Sequence, residues 1–208
     1  MRYSASTVSG CSAEHLCSLY RLASLISEPR RGVKPAFTEQ HVVALILLAS
    51  WEPIGRPSLS RILGLGDTAT KTLLRRTREA GLVVNVGRRG VRTVDDVRSY
   101  VEALRPCISG RCVALHIGCE PWCRMSSGLK PVLLLRDELV KLGISFEVIA
   151  CCGERIMVPG AGVREERMVK LECGQCLEAA TTCVLLTREA HVLDLSGVVT
   201  AAARVMCG

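Results

Sequence analysis

The sequence predicts an α+β chain made of two unlike parts, and three observations predict it. Apolar residues recur at helical spacing over the first hundred residues, then give way to strand-like runs. Net charge is +7, yet Met1–Arg105 holds 16 Lys and Arg against 9 Asp and Glu, while Pro106–Gly208 holds 11 of each. Ten of the 12 cysteines lie from Cys107 onward. A basic module joined to a charge-balanced, cysteine-rich one accounts for all three.

Residues 1–35 read as a loose tail at Met1–Gly10, a helix and a connector. Leu16, Leu19, Leu22, Ala23 and Ile26 recur at three and four, which predicts a helix over Ala13–Ser27. Pro29–Pro35 is a basic connector. Residues 36–106 form the informative stretch. Thr38 is placed to cap a helix to about Ser50, with Phe37 and Val42 as a hydrophobic staple. Ser58 caps a short second helix through Leu63, and Gly64-Leu65-Gly66 turns the chain. Asp67 caps a third helix that runs to Ala80 and ends at Gly81, its C′ residue. Leu82–Val86 and Val91–Val94 flank the turn Gly87-Arg88-Arg89-Gly90, and Asp95 caps a last helix to Arg105. Helix, short helix, helix and a cation-tipped hairpin is the order of a winged helix-turn-helix domain.

Residues 107–208 predict a small α/β-sandwich-like domain in the order β-α-β-β-β-α, with helices on one sheet face. The segments are a strand at Arg111–Ile117, a helix at Gly128–Leu142 and a hairpin of Ser145–Ala150 with Arg155–Val158 turning near Gly153. A strand at Cys183–Thr187 and a helix from Glu189 to Met206 follow, with a further strand expected at Met168–Glu172.

The third helix carries the functional expectation. Thr70, Leu73, Leu74 and Thr77 fall at i, i+3, i+4 and i+7 and so face inward. Thr68, Lys71, Thr72 and Arg75 fall opposite, with Arg76 and Arg78 at the flanks. Such side chains hydrogen-bond base edges and phosphates when a helix enters a major groove. Arg88, Arg89 and Arg92 on the hairpin suit phosphates or a narrow minor groove, and Arg56 and Arg61 suit phosphates beside the second helix. Aromatics are only 3%, which argues against an RNA-stacking surface. A helix with one apolar stripe and one basic face is also what many ordinary surface helices look like. The basic helix, the Gly81-Leu82-Val83 exit and the arginine-tipped turn are specific in combination.

Ser58-Leu59-Ser60-Arg61-Ile62-Leu63-Gly64-Leu65-Gly66, continued at Glu79-Ala80-Gly81-Leu82-Val83, resembles bacterial and archaeal winged-helix transcription regulators. The whole chain resembles a set of archaeal two-domain proteins, a winged helix followed by an uncharacterised α/β domain. In the second half the likeness rests on Leu135-Arg136-Asp137-Glu138, Arg155-Ile156-Met157-Val158-Pro159-Gly160 and Cys183–Thr187. The resemblance implies transcription control, as a homodimer on double-stranded DNA. The cysteines are not part of that pattern.

Cys119 with Cys123, and Cys173 with Cys176, have metal-ligand spacing, and four thiolates together would close a tetrahedral zinc site. Buried cysteines acting as small hydrophobes and structural disulfides are the competing readings. No secretory leader is evident, and the longest apolar run, Val42–Ala49, has eight residues, against the roughly 20 that span a bilayer. A cytoplasmic protein without membrane contact is therefore expected. No nucleotide-binding, nucleophile-elbow or metalloprotease motif occurs, and neither His116 nor His191 belongs to a catalytic spacing, so no enzyme is expected. Gly160-Ala161-Gly162 is too short for a phosphate cradle. The expected function is a DNA-binding transcriptional regulator whose second half dimerises or senses a small-molecule effector. The alternative is a winged-helix interaction module with a zinc- or thiol-based sensor and no DNA site.

Overall fold

The computed structural model describes residues 13–30, 32, 34–117, 130–152, 156–158, 163–177 and 182–207. Met1–Gly10, Cys119, Cys123, Gly153 and Gly160–Gly162 lie outside the described residues. The architecture is mixed α/β, with eight α-helices and two small antiparallel sheets among the described residues.

Helix α1 spans Ala13–Ser27, α2 Glu39–Trp51, α3 Arg56–Leu63 and α4 Asp67–Glu79. A two-stranded sheet follows, β1 (Val83–Asn85) against β2 (Val91–Thr93), and then α5 at Asp95–Leu104. Local chemistry sets these limits. The Thr38 N–H donates to His41 Nδ1 at 3.1 Å, so a histidine fills the role that Glu or Gln usually has in a capping box. This bond needs a bare Nδ1, and burial lowers the His41 pKa, opposed by its hydrogen bond with the Leu63 backbone. Gly64 ends α3 in the left-handed region at φ +63°. After α4, the Leu82 N–H returns to the Thr77 carbonyl at 2.9 Å and the Gly81 N–H to the Arg78 carbonyl at 2.9 Å. That pair satisfies carbonyls the helix would otherwise leave bare.

Beyond Pro106 the chain forms β3 (Cys107–Ser109), β4 (Cys112–Leu115), α6 (Lys130–Lys141), β5 (Phe146–Cys152), β6 (Ile156–Met157), α7 (Val163–Glu172), β7 (Thr182–Leu186) and α8 (Val192–Cys207). The five strands lie in the order β3-β4-β7-β5-β6, and every neighbouring pair is antiparallel. The strand expected within Arg111–Ile117 is present as β4, the second arm of a β3–β4 hairpin that turns at Gly110-Arg111. Two expectations are corrected. Met168–Glu172 is the end of α7, not a strand. Helices cover both sheet faces, not one. Val113, Leu115, Ile149, Cys151, Val184 and Leu186 point to the side of α8, while Cys112, Ala114, Val148, Ala150, Cys183 and Leu185 point to the side of α7. Successive residues of a strand face opposite ways, so a run apolar at every position needs cover on both sides.

The larger core runs without a break from α1, α2 and α4 through α5 into α8 and the sheet. Helix α8 packs against α1, α2 and α6. Gly197 permits that approach, because a Cβ there would run into Ile144 and the amide of Gln40, which itself donates to the Leu193 carbonyl at 2.8 Å. Asp194, 4% exposed, accepts two bonds from Arg188 at 2.7 and 2.8 Å and one from the His191 N–H at 2.9 Å, which anchors the first turn of α8. Among the described residues three disulfides staple the chain: Cys17–Cys207, Cys107–Cys176 and Cys112–Cys173.

Candidate functional site

Among the described residues, two places concentrate chemistry. The first is the outer side of α4 with the β1–β2 turn. Thr70, Leu73, Leu74 and Thr77 are buried, as the helical spacing predicts. Thr68, Lys71, Arg75 and Arg78 are exposed, and Thr72 is half-buried with its hydroxyl donating to the Thr68 carbonyl at 2.9 Å. Between β1 and β2 the chain makes one 3-10 turn at Gly87–Arg89, and Arg88, Arg89 and, on β2, Arg92 are exposed. This hairpin is held to the body by its buried face. Ile54 and Val91 exchange both backbone hydrogen bonds at 3.0 Å, and Thr93 donates to the Ile46 carbonyl at 3.0 Å. The loop before α3 thus adds a one-residue third strand to the small sheet.

Several of the cations already have anionic neighbours. Arg75 meets Glu79 at 2.9 Å, and Arg30 meets the other oxygen of the same carboxylate at 2.9 Å. These two hydrogen bonds, that of Arg30 first, hold the Glu79 carboxyl below its usual pKa. Arg56 joins Asp67 at 3.2 Å across the starts of α3 and α4. Exposed pairs of this kind contribute about 0–1 kcal/mol and are weakened by salt, so they yield readily to a stronger polyanion. Arg61 is exposed on α3, at the wall of a shallow cavity of about 390 Å³ formed with Trp51, Ile54 and Ile62.

Arg76 is the exception among the predicted contacts, and it is corrected. Its side chain is 5% exposed, and Nη1 donates to the carbonyls of Ile26 at 2.8 Å and Glu28 at 2.7 Å. The guanidinium lies 5.6 Å from the Phe37 ring centre. It caps the end of α1, where carbonyls lack intrahelical donors, and cannot reach a ligand. Burial lowers its pKa first, and the like charges of Arg30 and Arg75 add to that. We expect Arg76→Met to cost about 2–3 kcal/mol, because two carbonyls at the buried end of α1 lose a charged donor. Urea titration should show a lower midpoint, while the folded variant keeps whatever ligand affinity the outer face has.

The second place is the α7 side of the larger sheet. Of the predicted quartet, the described residues include Cys173 and Cys176. Cys173 is bonded to Cys112 and Cys176 to Cys107, so neither carries a thiolate for a metal in this state. Cys119 and Cys123 are outside the described residues. Sulfur spacing along the chain could not reveal these pairings, because they depend on where the β3–β4 hairpin and the end of α7 meet.

No protein-family model matches the chain, and no curated protein matches it. The solved structure of a hypothetical protein from Pyrococcus horikoshii OT3 is similar in fold: the TM-score is 0.58 at 20% identity, over 81% of this chain and 92% of that one.

Proposed function

We propose that residues 36–106 form a winged helix-turn-helix domain that binds double-stranded DNA, with α4 in the major groove and the Arg88–Arg89 turn as the wing. One observation carries this reading. A well-packed helix buries its Leu73 side and turns Lys71, Arg75 and Arg78 outward, next in the chain to a docked hairpin tipped by two exposed arginines. Lys71 and Arg75, four apart on one helical face, are spaced to reach base edges or phosphates together. Thr68 and Thr72 add hydroxyl acceptors to that face. Arg56, Arg61 and Arg92 flank it as phosphate contacts.

One short helix reads few base pairs, so a homodimer on two half-sites is the working form. Helix α6 supports this, since Leu133 and Val140, one heptad apart, are 40% and 64% exposed beside Leu134 at 49%. Exposed apolar positions of this kind are typical of a covered surface. The second half then serves as the dimerising or effector-sensing part of a transcription regulator.

The test is a fluorescence-anisotropy titration of the full chain on genomic DNA fragments at several salt concentrations. Arg75→Ala should weaken the preferred fragment by about 1–3 kcal/mol and blur its preference. Arg88→Ala should weaken all fragments alike and reduce the salt slope by about 1. Binding that ignores both substitutions would refute the placement of the DNA surface. A chain with no DNA affinity at low salt would favour the protein-interaction reading instead.

A further inference from the structure

The β3–β4 hairpin meets the end of α7 at a sulfur cluster. Cys112 and Cys173 are 0% exposed, Cys176 and Cys183 1%, and all four line the same small core with Ala114, Val148, Ala150, Val169 and Leu185. Two of the five cysteines here come from a Cys-x-x-Cys turn, where the Cys176 N–H donates to the Cys173 carbonyl at 2.8 Å. Two more come from the hairpin, and Cys183 comes from the adjacent β7, where it faces the same side as Cys112. The Sγ atoms of Cys112, Cys173 and Cys183 all lie within 4.8 Å of one another.

Zinc–thiolate bonds of about 2.3 Å at tetrahedral angles put ligand sulfurs about 3.8 Å apart. The Cys183 sulfur lies within 4.8 Å of both sulfurs of the Cys112–Cys173 bridge, so opening that bridge leaves three thiols within reach of one ion, with Cys176 three residues after Cys173 on the turn. Arg111, beside Cys112, pairs with Glu172, beside Cys173, at 3.1 Å and with Glu147 at 3.0 Å. These ion pairs link the hairpin to the helix end and to β5 independently of the sulfurs.

We propose that the reduced protein binds one zinc ion through Cys112, Cys173, Cys176 and Cys183, so that the two disulfides and the metal are alternative staples of the same joint. Each disulfide takes two electrons and two protons from a dithiol, which leaves as its own disulfide, and four cysteine thiols result. Cys107 is the half-buried member of its bridge and offers the reductant its entry. The zinc ion then displaces the protons of the four ligand thiols to solvent, and Cys107 remains as a thiol at the rim.

Cys183 is the diagnostic residue, because it belongs to the metal site but to neither staple. The full chain is reduced anaerobically with a dithiol, loaded with zinc or cobalt, and desalted. One metal per chain is expected in the reduced protein and none in the oxidised one. Cobalt should give the intense visible absorption of a tetrathiolate centre. Cys183→Ser, whose oxidised form keeps both bridges and can be checked for folding first, should bind at least tenfold more weakly and lose the four-sulfur spectrum. A Cys119→Ser/Cys123→Ser double variant and Cys151→Ala, on the opposite sheet face, should bind as the parent does. No metal in the reduced parent, unchanged binding by Cys183→Ser, or loss of binding in the Cys119/Cys123 double variant would each overturn the proposal.

Discussion

The double variant Cys17→Ser/Cys207→Ser should unfold roughly 10 °C below the parent in non-reducing calorimetry, at about 2–4 °C per kcal/mol for a chain of this size. The bridge it removes joins α1 to the last turn of α8 across 190 residues of sequence. In the chain-entropy account a loop that long takes about 5 kcal/mol out of the unfolded state's freedom, and native bridges when removed typically cost about 2–5 kcal/mol. The Cys107–Cys176 bridge offers the unfolded chain a shortcut that leaves a loop of roughly 120 residues. Closure entropy grows only with the logarithm of length, so the shortcut changes the expectation by about 0.4 kcal/mol. The effect should appear chiefly as one cooperative transition at lower temperature, because α1, α2 and α8 share one core. A midpoint within about 2 °C of the parent, less than 1 kcal/mol on the same scale, would mean that packing alone holds α1 to α8.

How far the residues announce this structure varies by element, for reasons that can be named. Helix α1 stands at Ala13–Ser27 as its apolar spacing predicts, and α4 buries the four predicted positions. These signals are local and periodic, and so legible. Arg76 misleads because its charge outweighs its position. It lies three residues after Leu73, next to the buried stripe, and the carbonyls at the end of α1 require a donor from another element. Helix α7 is hidden where Val169-Lys170-Leu171-Glu172 alternates like a strand. Glu165 and Glu166 in its first turn and Lys170 in its last are the available helix signals. The β3–β4 hairpin turns on Gly110 at φ +54°, a single glycine that sequence periodicity does not weigh. The sulfur cluster is least legible. Its members come from a hairpin, a helix end and a central strand, and only the sheet order places them together.

Metal and disulfide compete for the same cysteines, so the joint between hairpin and α7 is held in either redox state. The Cys17–Cys207 staple lies far along the chain from that joint and gains no such substitute. Reduction with zinc present should therefore loosen α1 and the end of α8 while sparing the sheet. This separates the two regions in a hydrogen-exchange experiment.

Gly90→Val is expected to be the most damaging single change in the first half, at about 3 kcal/mol or more, since the strained backbone alone costs about 1–3 kcal/mol and a steric clash adds to it. Gly90 has φ +103° and ψ −132°, a conformation nearly closed to residues with a side chain. A Cβ built there would also strike the Ile54 carbonyl and the Gly55 nitrogen, which are backbone atoms with no rotamer to yield. The chain would have to give up the Ile54–Val91 pair of hydrogen bonds at 3.0 Å, the contact that docks the hairpin. Gly87 is the matched control. It has φ +65°, but a Cβ added to it would meet nothing within 4 Å. Gly87→Ala should therefore cost only the left-handed conformation, about 1–2 kcal/mol. Chemical denaturation measures both. If the two variants proved equally stable, the close approach of Gly90 to Ile54 would not exist in solution. The same pair bears on the proposed function. A hairpin that is undocked but still carries Arg88 and Arg89 should keep nonspecific attraction to DNA and lose the fixed geometry relative to α4. Gly90→Val should then cost sequence preference more than it costs affinity for bulk DNA, whereas Arg88→Ala should do the reverse.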